Sequence, residues 1–355
     1  MRNSSTSSSK VFQVWNHSDL LRCTLKGITF LALGIVVFVV LSSISSYCNL
    51  SESMLEMRVT ELLRSHVDTK AINVGHSHNV AIDYSVLEYE GYHAWYSASD
   101  FFEVEYELRN LVPQLKELKA VFMPVGYFGF HQDHSLSETG RTHRVQFYKT
   151  FGAWPPIKGD LWLYLRGKID NVVRLDHWKI VATVVLHGRE GTDTVLPQDG
   201  HRIQADDFEP MTYEELVEFT TNSPSGVAAH LKGQDPADKG HPNLAEDTYA
   251  CLVRIIRFLQ TRGIRVVFFT PPYFVTYSEL YYPQTIRSMK DRMQQLVEEY
   301  GVEYYDFSTD KDLIYNNLLF KDDDHLNADG AVVFSNELRE AMDAYEAASD
   351  SKGSP

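Results

Sequence analysis

From Gly27 to Cys48 the chain runs for 22 residues without a charge, and its centre, Ile28 to Leu41, is almost wholly apolar. A bilayer core takes roughly 20 such residues as a helix, which satisfies every backbone polar group internally. Length, absence of charge and a basic flank favour a membrane anchor over a buried core helix. Before the run stand Arg2, Lys10, Arg22 and Lys26 against Asp19 alone, a net of +3. The whole chain carries −15, which leaves −18 for residues 49–355. Basic residues stay on the cytoplasmic side. The sequence therefore predicts a cytoplasmic tail (1–26), one transmembrane anchor in the cytoplasmic membrane (27–48) and a large acidic part that is periplasmic or extracellular. A cleaved signal peptide, cut near Ser43-Ile44-Ser45, is the competing reading, but a 26-residue lead is long for one. Bulky Tyr47 disfavours lipid attachment at Cys48.

Composition removes several function classes. At 44% hydrophobic and 23% charged, the 355 residues are globular, not collagenous, coiled-coil or wholly disordered. Three cysteines (Cys23, Cys48, Cys251) exclude a disulfide scaffold and a four-cysteine zinc module. The acidic balance argues against nucleic acid, whose phosphates need a basic face.

Beyond the anchor, residues 49–67 read as a juxtamembrane helix with Ser51 as N-cap and Leu55, Val59, Leu62 and Leu63 on one stripe. Strands are expected over 70–74 and 119–125, with a helix over 101–118 between them. In the second half, Asn243 and Glu246 have capping-box spacing before Leu252, Ile255, Ile256 and Leu259, and Gly263 occupies a C′ position. A strand over 264–269, a helix ending at Gly301, a strand over 302–307 and a final helix over 328–347 complete the alternation. Alternating strands and helices predict a parallel sheet within a three-layer α/β/α sandwich, residues 68–347. Residues 128–242 break that rhythm and read as an insertion; 348–355 read as a frayed tail.

Two segments carry chemistry: Asn73 to Asn79, after the first strand, and Asp322 to Ala331, before the last helix. A serine hydroxyl is a poor nucleophile until a base takes its proton and a third group orients that base. Ser77 sits past a strand at a glycine turn, on the edge where open α/β sheets bind ligands. Its backbone N–H is a candidate oxyanion donor. His325 supplies a base, and Asp322 reaches its Nδ1 from the same turn. Asp324 is expected to point elsewhere if that turn is helical. Asn327 reads as the last helix's N-cap.

Gly75-His76-Ser77-His78 and Asp322 to Ala331 resemble the first and last blocks of the SGNH/GDSL hydrolase superfamily, in its membrane-anchored bacterial branch. The resemblance covers roughly residues 68–127 and 243–346 and leaves the insertion unmatched. It implies Ser77 as nucleophile, His325 as base and Asp322 as its orienting carboxylate, with ester hydrolysis or acyl transfer on envelope or exported carbohydrate and no metal or cofactor. His76 stands where the family has Asp, and the usual G-x-N-D block is absent, so Ser99 and Tyr127 become oxyanion candidates. Those departures leave a second reading open: a non-catalytic carbohydrate-binding or assembly subunit that keeps the fold. A third reading is a structural partner that uses its anchor to recruit a multi-span membrane acyltransferase.

Other residues have blander readings. His76 and His78 are expected to point away from Ser77, as supporting or entrance groups. His131, Asp133, His134 and His143 invite a zinc reading, but spacing forces no converging set of three ligands, so no metal site is assigned. Trp154, Trp162, Tyr164 and Trp178 are expected to be packed before they are sugar platforms. Tyr273, Tyr277, Tyr281 and Tyr282 follow a strand end at the active edge. Arg141, Arg144 and Lys149 read as a solvated basic face.

Overall fold

The computed structural model describes residues 17–47, 54–151, 210–223, 227, 231 and 243–352. Helix α1, His17–Tyr47, is 31 residues long, and its Leu21–Phe38 stretch has a mean hydropathy of 1.8 and none of it buried. It is long and apolar enough to cross a membrane. It belongs to one compact unit, and the other elements named below belong to a second.

In the second body, α2 (Met54–Ser65) buries Leu55, Val59 and Leu62. The N-cap expected at Ser51 lies outside the described residues. Then follow β1 (Ala71–Asn73), α3 (Tyr84–Leu87), β2 (Gly91–His93), α4 (Phe101–Leu111), β3 (Ala120–Pro124) and α5 (Glu138–Thr150). After α6 (Tyr213–Asn222) come α7 (Leu244–Gln260), β4 (Arg265–Thr270), α8 (Val275–Leu280), α9 (Pro283–Tyr300), β5 (Glu303–Asp306), α10 (Lys311–Ile314) and α11 (Ala328–Lys352).

All five strands are parallel, in the order β2-β1-β3-β4-β5. Their side chains sort by alternation. Ile72, Val121, Met123, Val266 and Phe268 join a cluster with α2, α4, α7 and α9, whereas Ala71, Ala120, Phe122, Val267 and Phe269 join one with α3 and α11. Each fully buried large apolar side chain contributes roughly 1.5–3 kcal/mol, which explains why strands of three to six residues suffice.

Several boundaries differ from expectation. The helix expected over 101–118 stops at Leu111, and a 3₁₀ turn carrying Pro113 follows. Asn243 makes no side-chain cap, its backbone at φ −106°, ψ 13° being outside the extended conformation of an N-cap, and the Glu246 side chain extends to Arg292 at 2.7 Å. The reciprocal capping box lies instead at Asp100 and Glu103, opening α4. Gly263 and Gly301 do occupy left-handed positions, at φ +69° and +62°. In the expected insertion, α5 is capped by Ser137 and α6 by Thr212. The tryptophans and tyrosine at Trp154, Trp162, Tyr164 and Trp178 lie outside the described residues.

Candidate functional site

β1 ends in a turn that only glycine takes without strain: Gly75 has φ +111° and packs against the ring of Pro124 at the end of β3. The Asn79 amide closes the turn by donating to the carbonyls of Val74 (2.9 Å) and His76 (3.0 Å). Ser77 opens the short 3₁₀ turn that follows. β1 lies between β2 and β3, so strand order reverses beside it, and open α/β sheets form their binding crevice at that place.

The second segment is a tight loop, not a helical turn. Phe320 bridges Leu326 in antiparallel fashion, Lys321 N–H donates to the His325 carbonyl (2.9 Å), and Asn327 N–H donates to that of Leu319 (3.0 Å). Asn327 then caps α11 by accepting from Gly330 N–H at 2.9 Å.

Folding brings the two segments together. His325 Nε2 lies 2.7 Å from Ser77 Oγ, and Nδ1 lies 2.9 Å from Asp322 Oδ1. Nδ1 also lies 2.7 Å from Asp324 Oδ1, so the expectation that Asp324 points elsewhere is wrong. That expectation assumed helical spacing, and the loop turns Asp324 inward instead. With Nδ1 facing two carboxylates it carries the proton, which leaves Nε2 as acceptor for the serine hydroxyl. Burial works against a charged His325, but the Asp324 and Asp322 carboxylates outweigh it and hold the imidazole well above its usual range. Asp324 is buried, which favours its neutral form, yet His325 and His78 keep it well below the carboxylate range. Asp323, buried beside it, is pushed up to about 7 by desolvation and then by Asp324.

His78 is a supporting residue: its Nε2 meets Asp324 Oδ2 at 3.2 Å and its Nδ1 meets the Tyr273 hydroxyl at 3.2 Å. His76 is buried between the rings of His78 and Phe128, at 4.6 and 5.0 Å, and burial holds it well below the imidazole range. Neither histidine is an entrance group.

The oxyanion candidates are occupied. Ser99 Oγ donates to the Tyr96 carbonyl (2.6 Å), and the Tyr127 hydroxyl pairs with Ser278 Oγ (3.1 Å) inside a stack with Tyr273, Tyr277 and Tyr281. By contrast, the N–H groups of Ser77 and Gly126 reach no acceptor among the described residues. Tyr273, Tyr277 and Tyr281 are core, and Tyr282 is exposed.

The basic face expected around Arg144 is a buried charge knot. Arg144 donates to Asp100 (2.7 Å) and Asp133 (2.9 Å), and Lys149 pairs with Glu56. Glu103 meets His134 Nδ1 (2.9 Å) and His143 Nδ1 (3.1 Å), three groups close enough to surround an ion. His131 is not among them. The Gln132 amide donates to His134 Nε2 at 3.0 Å, so His134 Nδ1 carries a proton toward Glu103. In that tautomer the ring donates to Glu103, and against the effect of burial Glu103 and Asp100 hold the imidazole above its usual range.

No protein-family model matches the chain, and comparison with curated proteins finds no match.

Proposed function

We propose that the chain is a serine-dependent esterase or O-acyltransferase of the SGNH/GDSL kind, with α1 holding its three-layer α/β/α domain to the outer face of the cytoplasmic membrane. The observation that carries this reading is the 2.7 Å contact between Ser77 Oγ and His325 Nε2, backed by carboxylate on Nδ1. Ser77 Oγ bonds the ester carbonyl carbon as its proton passes to Nε2. That proton then leaves with the departing alcohol, giving an acyl-enzyme. Water or a sugar hydroxyl next gives its proton to Nε2 and bonds the acyl carbon, and that proton passes from Nε2 to Ser77 Oγ as the acyl–serine bond breaks. The Ser77 N–H, which reaches no acceptor among the described residues, is the oxyanion donor at hand. Acyl esters of envelope or exported carbohydrate are the substrate class, and a multi-span acyltransferase is the partner that such a membrane-held domain would serve.

Purified full chain should release p-nitrophenol from short acyl esters, and Ser77→Ala should abolish release; unchanged activity in that variant rejects the reading. One observation favours a second reading, a non-catalytic carbohydrate-binding or assembly subunit: both hydroxyls expected to serve an oxyanion are bonded elsewhere.

A further inference from the structure

Resting on the serine-hydrolase reading, we infer that Asp324, braced by His78, is the carboxylate that positions His325, and that Asp322 builds the turn. This reverses the roles that the D-x-x-H spacing assigns.

Three observations converge. First, Asp324 Oδ1 is the nearer to His325 Nδ1, 2.7 against 2.9 Å, and its side chain is 3% exposed against 20% for Asp322. The same charge acts more strongly where water is excluded. Second, Asp322 Oδ1 is shared: besides His325 Nδ1–H at 2.9 Å, it accepts the backbone N–H of His325 at 2.7 Å and of Asp324 at 3.2 Å. Those two bonds shape the loop that presents the imidazole, a task for an Asx-type turn. Third, the remaining oxygen of Asp324 is held from behind by His78, whose other nitrogen meets Tyr273.

The direction of donation is consistent along the whole chain without any extra proton. Tyr273 O–H donates to His78 Nδ1, His78 Nε2–H to Asp324 Oδ2, and Ser77 O–H to His325 Nε2, while His325 Nδ1–H faces both Asp322 Oδ1 at 2.9 Å and Asp324 Oδ1 at 2.7 Å. Every group is a donor where its neighbour is an acceptor, so the carboxylate plane and both ring orientations are fixed before substrate arrives. His78 packs edge-on against the His325 ring at 5.0 Å and, with Tyr273, braces Asp324 from behind. They are positioning residues.

The test uses the full chain in detergent, with melting curves on every variant and two readouts. In proton NMR, the far-downfield His325 Nδ1–H resonance should vanish in Asp324→Asn and persist in Asp322→Asn. In p-nitrophenyl ester turnover, Asp324→Asn should lower kcat by about 10³–10⁴-fold with little change in KM, as removal of an orienting carboxylate does. His78→Leu should cost about 10–100-fold, and His78→Gln, which keeps an N–H donor, should recover most of it. A resonance lost in Asp322→Asn and kept in Asp324→Asn overturns the assignment, as does His78→Leu turnover equal to wild type. A wild type that shows the expected resonance pattern but no turnover sinks the esterase reading alone and supports the positioning assignment.

Discussion

Gly330→Ala is the substitution whose effect follows most directly from the packing. Gly330 stands in the first turn of α11, and a Cβ there would lie 2.1 Å from the Leu319 carbonyl oxygen and 3.0 Å from its carbon. A carbon meets an oxygen comfortably at about 3.3 Å, so the two backbones must part by about 1.2 Å. Neither side is free to move. The Leu319 carbonyl accepts Asn327 N–H, Phe320 bridges Leu326, and the Asn327 side chain caps Gly330. Any separation therefore opens the loop that carries His325. Overpacking of this kind costs about 1–3 kcal/mol, or about 2–4 °C of melting temperature per kcal/mol for a domain of this size. Catalysis should suffer more, because a misplacement near 1 Å costs on the order of 100-fold in rate. Differential scanning fluorimetry and p-nitrophenyl ester turnover on wild type and Gly330→Ala measure both. A variant with wild-type melting and wild-type kcat/KM would refute the claim that this close approach fixes the catalytic loop.

Three further outcomes are expected. His325 must be neutral to accept the serine proton, and its carboxylate partners raise its pKa well above the usual imidazole value; kcat/KM in the substrate-free enzyme should thus climb with pH through an alkaline range, and an acid limb centred at or below the ordinary value of about 6.5 contradicts this. Asp323 has a folded pKa of about 7 against an unfolded value near 3.8, so the folded state binds the extra proton and stability falls as pH rises between those values. Asp323→Asn should remove that loss and stabilise the protein by on the order of 2–4 kcal/mol at pH 8 relative to pH 4, read by urea unfolding at both pH values; equal effects at the two would exclude it. An alkaline phosphatase reporter fused after Lys352 in a bacterial host should be active, since the domain is expected outside, whereas activity only from a cytoplasmic reporter reverses the topology.

Much of the site was legible because its residues sit where secondary structure changes. Ser77 follows a strand and a glycine turn and His325 precedes a capped helix, so periodicity located each, and the resemblance of their two segments to one family paired them. The role of Asp324 was not legible. Residue spacing was read on a helical pattern, but Phe320 and Leu326 pair across the segment and turn the neighbouring carboxylate inward. His78 was equally hidden, since its partners lie 195 and 246 residues away and no local pattern records them. The strand Gly91–His93 is too short for a period-two signal. The Asn243–Glu246 spacing misled because the backbone at Asn243 is not extended and the Glu246 side chain turns to a tertiary partner, Arg292. The box at Asp100 and Glu103 has the same spacing and does form, with both side chains buried.

The central claim is that His325 activates the Ser77 hydroxyl for attack. Fluorophosphonate treatment of the full chain, followed by digestion and tandem mass spectrometry, measures it directly. A single covalent adduct on Ser77 is predicted, greatly slowed by His325→Ala and absent from Ser77→Ala. A folded wild type that takes no adduct, or one modified on another serine while Ser77 stays bare, would contradict it.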